Sequence, residues 1–208
     1  MATLVKICGI TNKEDALAAA EFGVDLLGFV FSESPRQIEV NRAAEIVASL
    51  PPTVSTVGLF VNETEIVVEM IQDQMRLNYL QFHGDEDPDY CKRLKNERKV
   101  IKAFRIRDEA SLVDIAKYDV DLYLLDAYAA DARGGTGATF NWDLAIKAKE
   151  HGKPIILAGG LTPENVEDAI RKVRPYAVDV SSGIEASPGK KDHKLMEEFI
   201  RKAKSGKL

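Results

Sequence analysis

The sequence predicts an α/β protein, a single-domain (β/α)8 or TIM barrel in which eight parallel strands alternate with eight outer helices. Short runs rich in β-branched residues alternate strictly with longer segments whose apolar residues recur every three or four positions. The length of 208 residues suits one compact domain of this type. The first predicted turn, residues 8–12, lacks the glycine-rich fingerprint of an open dinucleotide-binding sheet, which disfavours that competing architecture.

Eight strand-like runs and eight helical patterns follow one another along the chain. The strands are predicted at residues 4–10, 25–31, 55–61, 79–83, 100–106, 121–127, 154–159 and 177–182. The helices are predicted at residues 12–22, 41–50, 63–74, 88–97, 108–117, 142–150, 163–172 and 190–204. Strict alternation implies parallel strands joined by right-handed crossovers. We therefore expect residues 1–208 to form one barrel domain.

Polar residues mark the predicted beginnings of three helices. Asn12 and Asn62 each precede a run of charged and polar residues, which is typical of an N-cap. Thr162 is followed by Pro163, a residue that suits the first position of a helix. These features place helix starts near residues 13, 63 and 163.

Composition predicts a cytoplasmic protein without a metal site. The formal net charge of −5 disfavours general binding to nucleic acid or to anionic membranes. The longest apolar stretch, residues 26–31, is far too short to cross a bilayer. Two cysteines without CxxC spacing and three scattered histidines predict neither a disulfide framework nor a metal centre.

The last two predicted strands end in small residues. Gly159 and Gly160 follow the seventh strand, and Ser182 and Gly183 follow the eighth. Such ends leave backbone N–H groups uncovered close to a helix N-terminus, where the partial positive charge favours a phosphate. In (β/α)8 barrels the ends of these two strands commonly bind a phosphorylated substrate. We therefore predict that these four residues hold a phosphate.

Polar side chains are predicted to point into the barrel, because side chains alternate across each strand. The predicted inward or strand-end residues are Lys6, Cys8, Gln81, His83, Lys102, Asp126, Asp179 and Ser181. An unpaired buried charge is costly, so Lys6, Lys102 and Asp179 need partners. For these three, a structural ion-pair network and a ligand-binding role both stay open. The strand-end positions of Cys8 and Asp126 favour a functional role.

Five motifs stand in one order along the chain. They are residues 6–11 (KICGIT), 31–36 (FSESPR), 81–86 (QFHGDE), 134–137 (GGTG) and 179–185 (DVSSGIE). Together they resemble the phosphoribosylanthranilate isomerases of tryptophan biosynthesis, and the resemblance covers nearly the whole chain. It implies an Amadori rearrangement without a cofactor, in which N-(5′-phosphoribosyl)anthranilate becomes 1-(2-carboxyphenylamino)-1-deoxyribulose 5-phosphate.

The resemblance also implies roles for individual residues. Asp126 is the general acid that opens the furanose ring, Cys8 is the general base at C2′, and Arg36 holds the anthranilate carboxylate. A donating aspartic acid needs a raised pKa, and a cysteine base needs a thiol pKa lowered by a nearby lysine. We therefore expect the pKa values of Asp126 and Cys8 to be displaced in opposite directions.

Four further residues are candidates for contact with the substrate. Gln81 and His83 are predicted to line the pocket wall, and Asp179 to face the substrate from the eighth strand. Gly135 belongs to a glycine-rich loop after the sixth strand, which is predicted to close over the substrate as a mobile lid. The expected partner is a small phosphorylated aminoaldose, and the expected assembly is a monomer or a homodimer. Neither a metal nor a nucleic acid nor a membrane is expected as a partner.

Two other functions stay open at this point. A sister barrel enzyme of histidine biosynthesis would carry an aspartate where this chain has Cys8, and an indole-glycerol-phosphate synthase would need a glutamate beside an inward lysine. No such glutamate is expected beside Lys6 or Lys102. A non-catalytic barrel that binds a phosphorylated metabolite would need the phosphate site and Arg36, but not Cys8 or Asp126.

Overall fold

The computed structural model describes residues 3–95, 98–127 and 142–205. Eight parallel strands close into a barrel in chain order, and β8 pairs with β1. The strands are β1 (Leu4–Cys8), β2 (Leu26–Val30), β3 (Ser55–Phe60), β4 (Tyr79–Phe82), β5 (Lys99–Ile106), β6 (Leu122–Ala127), β7 (Ile155–Leu157) and β8 (Ala177–Val180). The predicted (β/α)8 architecture is confirmed.

Helices surround the barrel, and one predicted helix is replaced by two tighter turns. The helices are α1 (Lys13–Glu21), α2 (Val40–Val47), α3 (Glu65–Met75), α4 (Pro88–Leu94), α5 (Trp142–Ala148), α6 (Val166–Val173) and α7 (His193–Ser205). Between β5 and β6 the chain forms 3₁₀ segments at Glu109–Leu112 and Ile115–Lys117, so the helix predicted at 108–117 is wrong. Asp108 and Ser111 cap the first segment reciprocally, and such local side-chain bonds favour a short turn over a continuing helix.

The chain between β8 and α7 forms a hairpin where the sequence predicted the start of a helix. Glu185–Ser187 (β9) pairs antiparallel with Lys190–Lys191 (β10), and α7 begins only at His193. The backbone N–H of Lys191 donates to Asp15 Oδ2 at 2.9 Å, which fixes the hairpin against the first turn of α1. Strands this short leave no periodic pattern in the sequence.

Of the helix starts predicted at Asn12 and Asn62, the first is confirmed and the second is wrong. The Asn12 side chain accepts a hydrogen bond from Asp15 N at 2.8 Å, which confirms the predicted N-cap of α1. Asn62 does not cap α3, which begins at Glu65. It has a left-handed backbone with φ +53°, and its side chain accepts from Asp85 N at 2.7 Å. Asn62 thus joins two loops at the carboxyl end of the barrel.

The third predicted start is also wrong, since α6 begins at Val166 and not at Pro163. The reason lies in the side chain of Asn165, which accepts from Thr162 N and donates to Gly160 O, both at 2.9 Å. Residues 162–165 are therefore held as a turn after β7, and this turn shapes one side of the predicted phosphate site.

The apolar core has two layers separated by the sheet. The barrel interior contains a cluster made only of strand residues and their ends: Leu26, Val57, Tyr79, Ile101, Ala103, Leu122, Leu124, Ile156, Ala158 and Ala177. The larger cluster joins the outer faces of the strands to the helices. Ile101 and Ala103 face the interior, so Lys102 faces the helices, and its predicted inward orientation is wrong.

Candidate active site

Cys8 and Lys6 lie side by side on the inner face of β1. Each approaches Gly28 on the neighbouring strand: a Cβ added there would lie 3.0 Å from Cys8 Sγ and 3.1 Å from Lys6 Nζ. Glycine at this position therefore makes room for both side chains. Lys6 forms a buried ion pair with Asp179 across the β1–β8 seam, with 2.9 Å between Nζ and Oδ1. Of the two readings left open for this pair, the structure shows the ion-pair network.

The pKa of Cys8 departs from the prediction. Burial raises the pKa of the thiol above its ordinary value, and Asp179 acts in the same direction. Lys6 and Lys191 lower the pKa but do not outweigh burial. In the ligand-free protein the expected lowering of the Cys8 pKa is therefore wrong, chiefly because the thiol is buried, and the carboxylate of Asp179 adds to that effect.

Asp126 lies near the end of β6 and meets the side chain of His83, which follows β4. His83 Nε2 is 3.3 Å from Asp126 Oδ2, and Gln81 Nε2 is 3.1 Å from His83 Nδ1. Because an amide nitrogen can only donate, Nδ1 of His83 accepts and Nε2 carries the proton that faces Asp126. The structure thus places Gln81, His83 and Asp126 in one row, with a hydrogen bond between Gln81 and His83 and a 3.3 Å contact between His83 and Asp126. Gln81 is fully buried, and within the described residues its Oε1 has no partner.

Arg36 follows β2 and is held by Glu185 of the hairpin. Arg36 Nε and Nη2 donate to the two carboxylate oxygens of Glu185 at 2.8 and 2.7 Å. Its stem lies on Gly9, where an added Cβ would come within 2.6 Å of Arg36 Cδ. None of the described residues accepts a hydrogen bond from Nη1. One edge of the guanidinium is therefore engaged, and the edge that includes Nη1 can still receive a carboxylate.

Sequence reasoning missed Glu185 and Lys191 as members of the site. Lys191 Nζ lies 2.9 Å from Glu185 Oε1, so this carboxylate serves both Lys191 and Arg36. Burial alone would raise the pKa of Glu185, but the hydrogen bond from Arg36 and the charge of Lys191 outweigh it and lower the pKa. The available signal was position, because Glu185 ends the 179–185 motif and Lys191 follows it closely.

The loops after β7 and β8 pack tightly against each other. A Cβ added at Gly183 would lie 2.0 Å from the carbonyl oxygen of Leu161, a contact that only glycine avoids. Among the described residues, none accepts a hydrogen bond from the backbone N–H groups of Gly159, Gly160, Ser182 and Gly183. Gly159 and Gly160 have φ of +84° and +65°. The backbone N–H groups of the four predicted phosphate residues are thus unengaged among the described residues.

Lys102 belongs to a separate ion pair outside the barrel. Its Nζ lies 2.8 Å from Glu86 Oε2 and 2.7 Å from the carbonyl oxygen of Gly84. Glu86 also accepts from the backbone N–H groups of Asn62 and Gly84. A glutamate therefore does accompany this lysine, contrary to the sequence-based expectation. Because both side chains face the helix layer, the pair stabilises the loops after β3 and β4.

Gly135 falls in residues 128–141, outside the described residues, so its contact with substrate stays a prediction. Within the described ranges, no three His, Cys, Asp or Glu side chains cluster as metal ligands would. No helix in the described part of the chain is long and apolar enough to span a membrane.

The site thus combines a thiol, a carboxyl group, the unengaged N–H groups after β7 and β8, and the free edge of Arg36 at one mouth of the barrel. Cys8 and Asp126 lie on strands that are three positions apart around the barrel, with β7 and β8 between them. The unengaged N–H groups after β7 and β8 lie between these two residues, and Arg36 lies on the β2 side. The arrangement can exchange protons with a ligand held at two anionic ends.

Comparison with known proteins gives consistent matches. Residues 5–202 match the family described as N-(5′-phosphoribosyl)anthranilate (PRA) isomerase. The N-(5′-phosphoribosyl)anthranilate isomerase of Geobacter sulfurreducens is 56% identical over 201 residues, which are 96% of this chain and 98% of that protein. Its counterpart in Geotalea uraniireducens is 57% identical over 203 residues, which are 97% of this chain and 98% of that protein.

Solved structures give the same result. The phosphoribosyl anthranilate isomerase of Thermotoga maritima superposes with a TM-score of 0.93 at 43% identity, covering 98% of this chain and 99% of that one. A phosphoribosyl anthranilate isomerase in complex with reduced 1-(o-carboxyphenylamino)-1-deoxyribulose 5-phosphate superposes with a TM-score of 0.89 at 41% identity, with the same coverage.

Proposed function

The chain belongs to the N-(5′-phosphoribosyl)anthranilate isomerase family and is an aldose–ketose isomerase of tryptophan biosynthesis, and we propose that Cys8 is its general base and Asp126 its general acid. The observation that supports these roles is the placement of both side chains at one mouth of the barrel, together with the unengaged N–H groups after β7 and β8 and the free edge of Arg36. The substrate carries a phosphate and a carboxylate, which match those groups in charge.

The first step is ring opening. Asp126 donates a proton to the furanose oxygen, the bond from that oxygen to C1′ breaks, and the anthranilate nitrogen forms a protonated Schiff base with C1′. His83 Nε2 lies 3.3 Å from Oδ2 of Asp126, and we assign the transferred proton to Oδ1. Gln81 holds His83 in the tautomer that this contact requires.

The second step is removal of the proton on C2′ by Cys8. The electron pair of the C2′–H bond forms the enolamine, which then tautomerises to the ketone. Burial keeps Cys8 as a thiol in the free enzyme, and the positive charge of the Schiff base lowers the thiol pKa when the base is required. The raised pKa in the free state is thus compatible with the role of base.

Substrate binding uses the two anionic ends. The backbone N–H groups of Gly159, Gly160, Ser182 and Gly183 receive the phosphate, and the loop that contains Gly135 closes over the substrate. The Nη1 edge of Arg36 receives the anthranilate carboxylate. Asp179 forms an ion pair with Lys6 beside Cys8, and its contact with the substrate remains a prediction.

The test is turnover of phosphoribosylanthranilate, followed by the loss of its fluorescence without added metal. We expect Cys8→Ala and Asp126→Asn each to lower kcat by at least about 10²-fold while still binding the reduced product analogue. The matched control is Cys91→Ala, which removes a buried cysteine from α4 and should retain kcat. Substantial turnover in either site variant would remove that residue from its role.

A pH profile of kcat/KM tests the pair as a unit. One essential base and one essential acid should give a bell-shaped dependence, and because burial raises the pKa of Cys8, the limb that reports the thiol should lie above the ordinary thiol pKa. A flat profile from acidic to alkaline pH would contradict catalysis by these two groups.

Three further properties are part of the proposal. Residues 1–208 form one barrel domain that acts as a monomer or a homodimer, the latter state being described for the Thermotoga maritima relative. Sedimentation at micromolar concentration distinguishes the two. The cytoplasm is the expected location, because both cysteines are free thiols.

A further inference from the structure

We propose that Lys191 is a positioning residue of the reaction, whose buried ammonium group joins the ends of β1 and β8 and supplies positive charge beside Cys8. This inference rests on the role of Cys8 as the base. Lys191 lies in the hairpin, and its side chain is completely buried. A buried lysine is rare without a specific set of partners, so its contacts indicate its purpose.

The ammonium group of Lys191 donates its hydrogen bonds to residues of the candidate site. Lys191 Nζ lies 2.7 Å from the carbonyl oxygen of Cys8, 2.9 Å from Glu185 Oε1 and 3.2 Å from the carbonyl oxygen of Ser181. An ammonium group has three N–H donors, so each of these acceptors can receive one. Lys191 thereby contacts the backbone of Cys8, the backbone of Ser181 just before the predicted phosphate residues, and the carboxylate of Glu185 that holds Arg36.

The contacts with the carbonyl oxygens of Cys8 and Ser181 link β1 and β8 beyond the point where the hydrogen bonds between these two strands end. The last residue pair between β1 and β8 is Ile7 with Val180. Cys8 and Ser181 are the next residue on each strand, and Lys191 binds the carbonyl oxygen of both. One side chain therefore sets the spacing between the proposed base and the proposed phosphate site, where an error of about 1 Å can cost about 10²-fold in rate.

The charge of Lys191 has its own effect. The charged groups that face Cys8 are Lys6 on β1, Asp179 on β8, Lys191 on β10 and Arg36 after β2. Lys6 and Asp179 form a neutral pair, whereas Lys191 and Arg36 share the single carboxylate of Glu185. The hairpin side of Cys8 thus carries a net positive charge, which favours the thiolate against the effect of burial.

The backbone of the hairpin keeps Lys191 in place. Its N–H donates to Asp15 Oδ2, and Asp15 Oδ1 lies 2.8 Å from His193 Nε2 at the start of α7. The neighbouring Lys190 is exposed and belongs to the same two-residue strand. It provides a matched control, because it shares the chemistry and the local backbone of Lys191 without its contacts.

The experiment measures the Cys8 thiol directly, in a Cys91→Ala background that leaves one cysteine. The rate of alkylation by iodoacetamide is followed against pH in the parent, Lys191→Met, Lys191→Gln and Lys190→Met, together with kcat and KM. Loss of the charge should move the midpoint of alkylation upward by about one pH unit in both Lys191 variants and lower kcat about tenfold at neutral pH. Lys190→Met should match the parent.

The two Lys191 variants separate charge from hydrogen bonding. Lys191→Gln can still donate to Cys8 and Ser181, so its KM should stay near the parental value, whereas Lys191→Met should also raise KM. Alkylation midpoints that agree between Lys191→Met and Lys190→Met would overturn the proposal. So would unfolding of both Lys191 variants, seen by circular dichroism, since Lys191 would then act in stability alone. A shifted midpoint with unchanged kcat would instead refute Cys8 as the base.

Discussion

Gly183→Ala should damage phosphate binding without a large loss of stability. The added Cβ would lie 2.0 Å from the carbonyl oxygen of Leu161, whereas Cβ contacts below 3.0 Å essentially never occur. The loops after β7 and β8 must therefore separate by at least about 1 Å. Gly183 does not have a positive φ, so the effect comes from crowding and not from backbone strain. Because the four N–H donors act together, a displacement of this size should raise KM by about 10- to 100-fold.

The assay is steady-state turnover of phosphoribosylanthranilate, combined with thermal unfolding. Gly152→Ala is the matched control, because Gly152 has φ +78° and no atom within 4 Å of an added Cβ. The control should lower the melting temperature through backbone strain and leave KM unchanged. An unchanged KM in Gly183→Ala would show that the phosphate is not held where these two loops meet, and our reasoning about the site would fail.

Three further outcomes are expected. Arg36→Ala should raise KM for the substrate at least about tenfold with a smaller change in kcat, since a charged hydrogen-bonded contact is lost; an unchanged KM would assign the carboxylate to another residue. Lys102→Met should lower the free energy of unfolding in urea by about 3–5 kcal/mol while kcat is retained, because Glu86 is left buried without its partner. The lowered pKa of Glu185 stabilises the fold above the ordinary glutamate pKa of about 4.3, and this stability is lost as the pH falls through the folded value. Urea midpoints between pH 5 and pH 3 should therefore fall less steeply in Glu185→Gln than in the parent.

Local patterns predicted most of the barrel and failed where a pattern was ambiguous. On β4 the sequence predicted which side chains face inward: Leu80 and Phe82 face the helices and Gln81 faces the interior. On β5 the direction of the side chains could not be predicted, because apolar residues occupy both faces of the strand around Lys102. The segments between strands and helices were harder to predict, because turns and a two-residue strand have no periodic pattern of apolar residues.

The candidate site shows the same division. Cys8, Asp126 and the glycines after β7 could be found because each follows from its position at a strand end. Glu86, Glu185 and Lys191 were missed, because the sequence does not show which side chains they contact; for Glu185 and Lys191 only the position at or just after a motif was informative. The sequence also suggested a lowered thiol pKa for Cys8, since it shows the lysines but not the burial that opposes them.

The sequence by itself determined the alternation of strands and helices, and it predicted the strand-end positions of Cys8 and Asp126, the proposed proton-transfer residues. These features depend on the spacing of residues that are close in the chain. The tertiary structure decided which distant groups meet: the charges of Arg36 and Glu185, 149 positions apart, and the ammonium group of Lys191 with the carbonyl oxygen of Cys8, 183 positions apart. Ion pairing and burial depend on distances in space, and only the closure of β8 onto β1 brings these segments together.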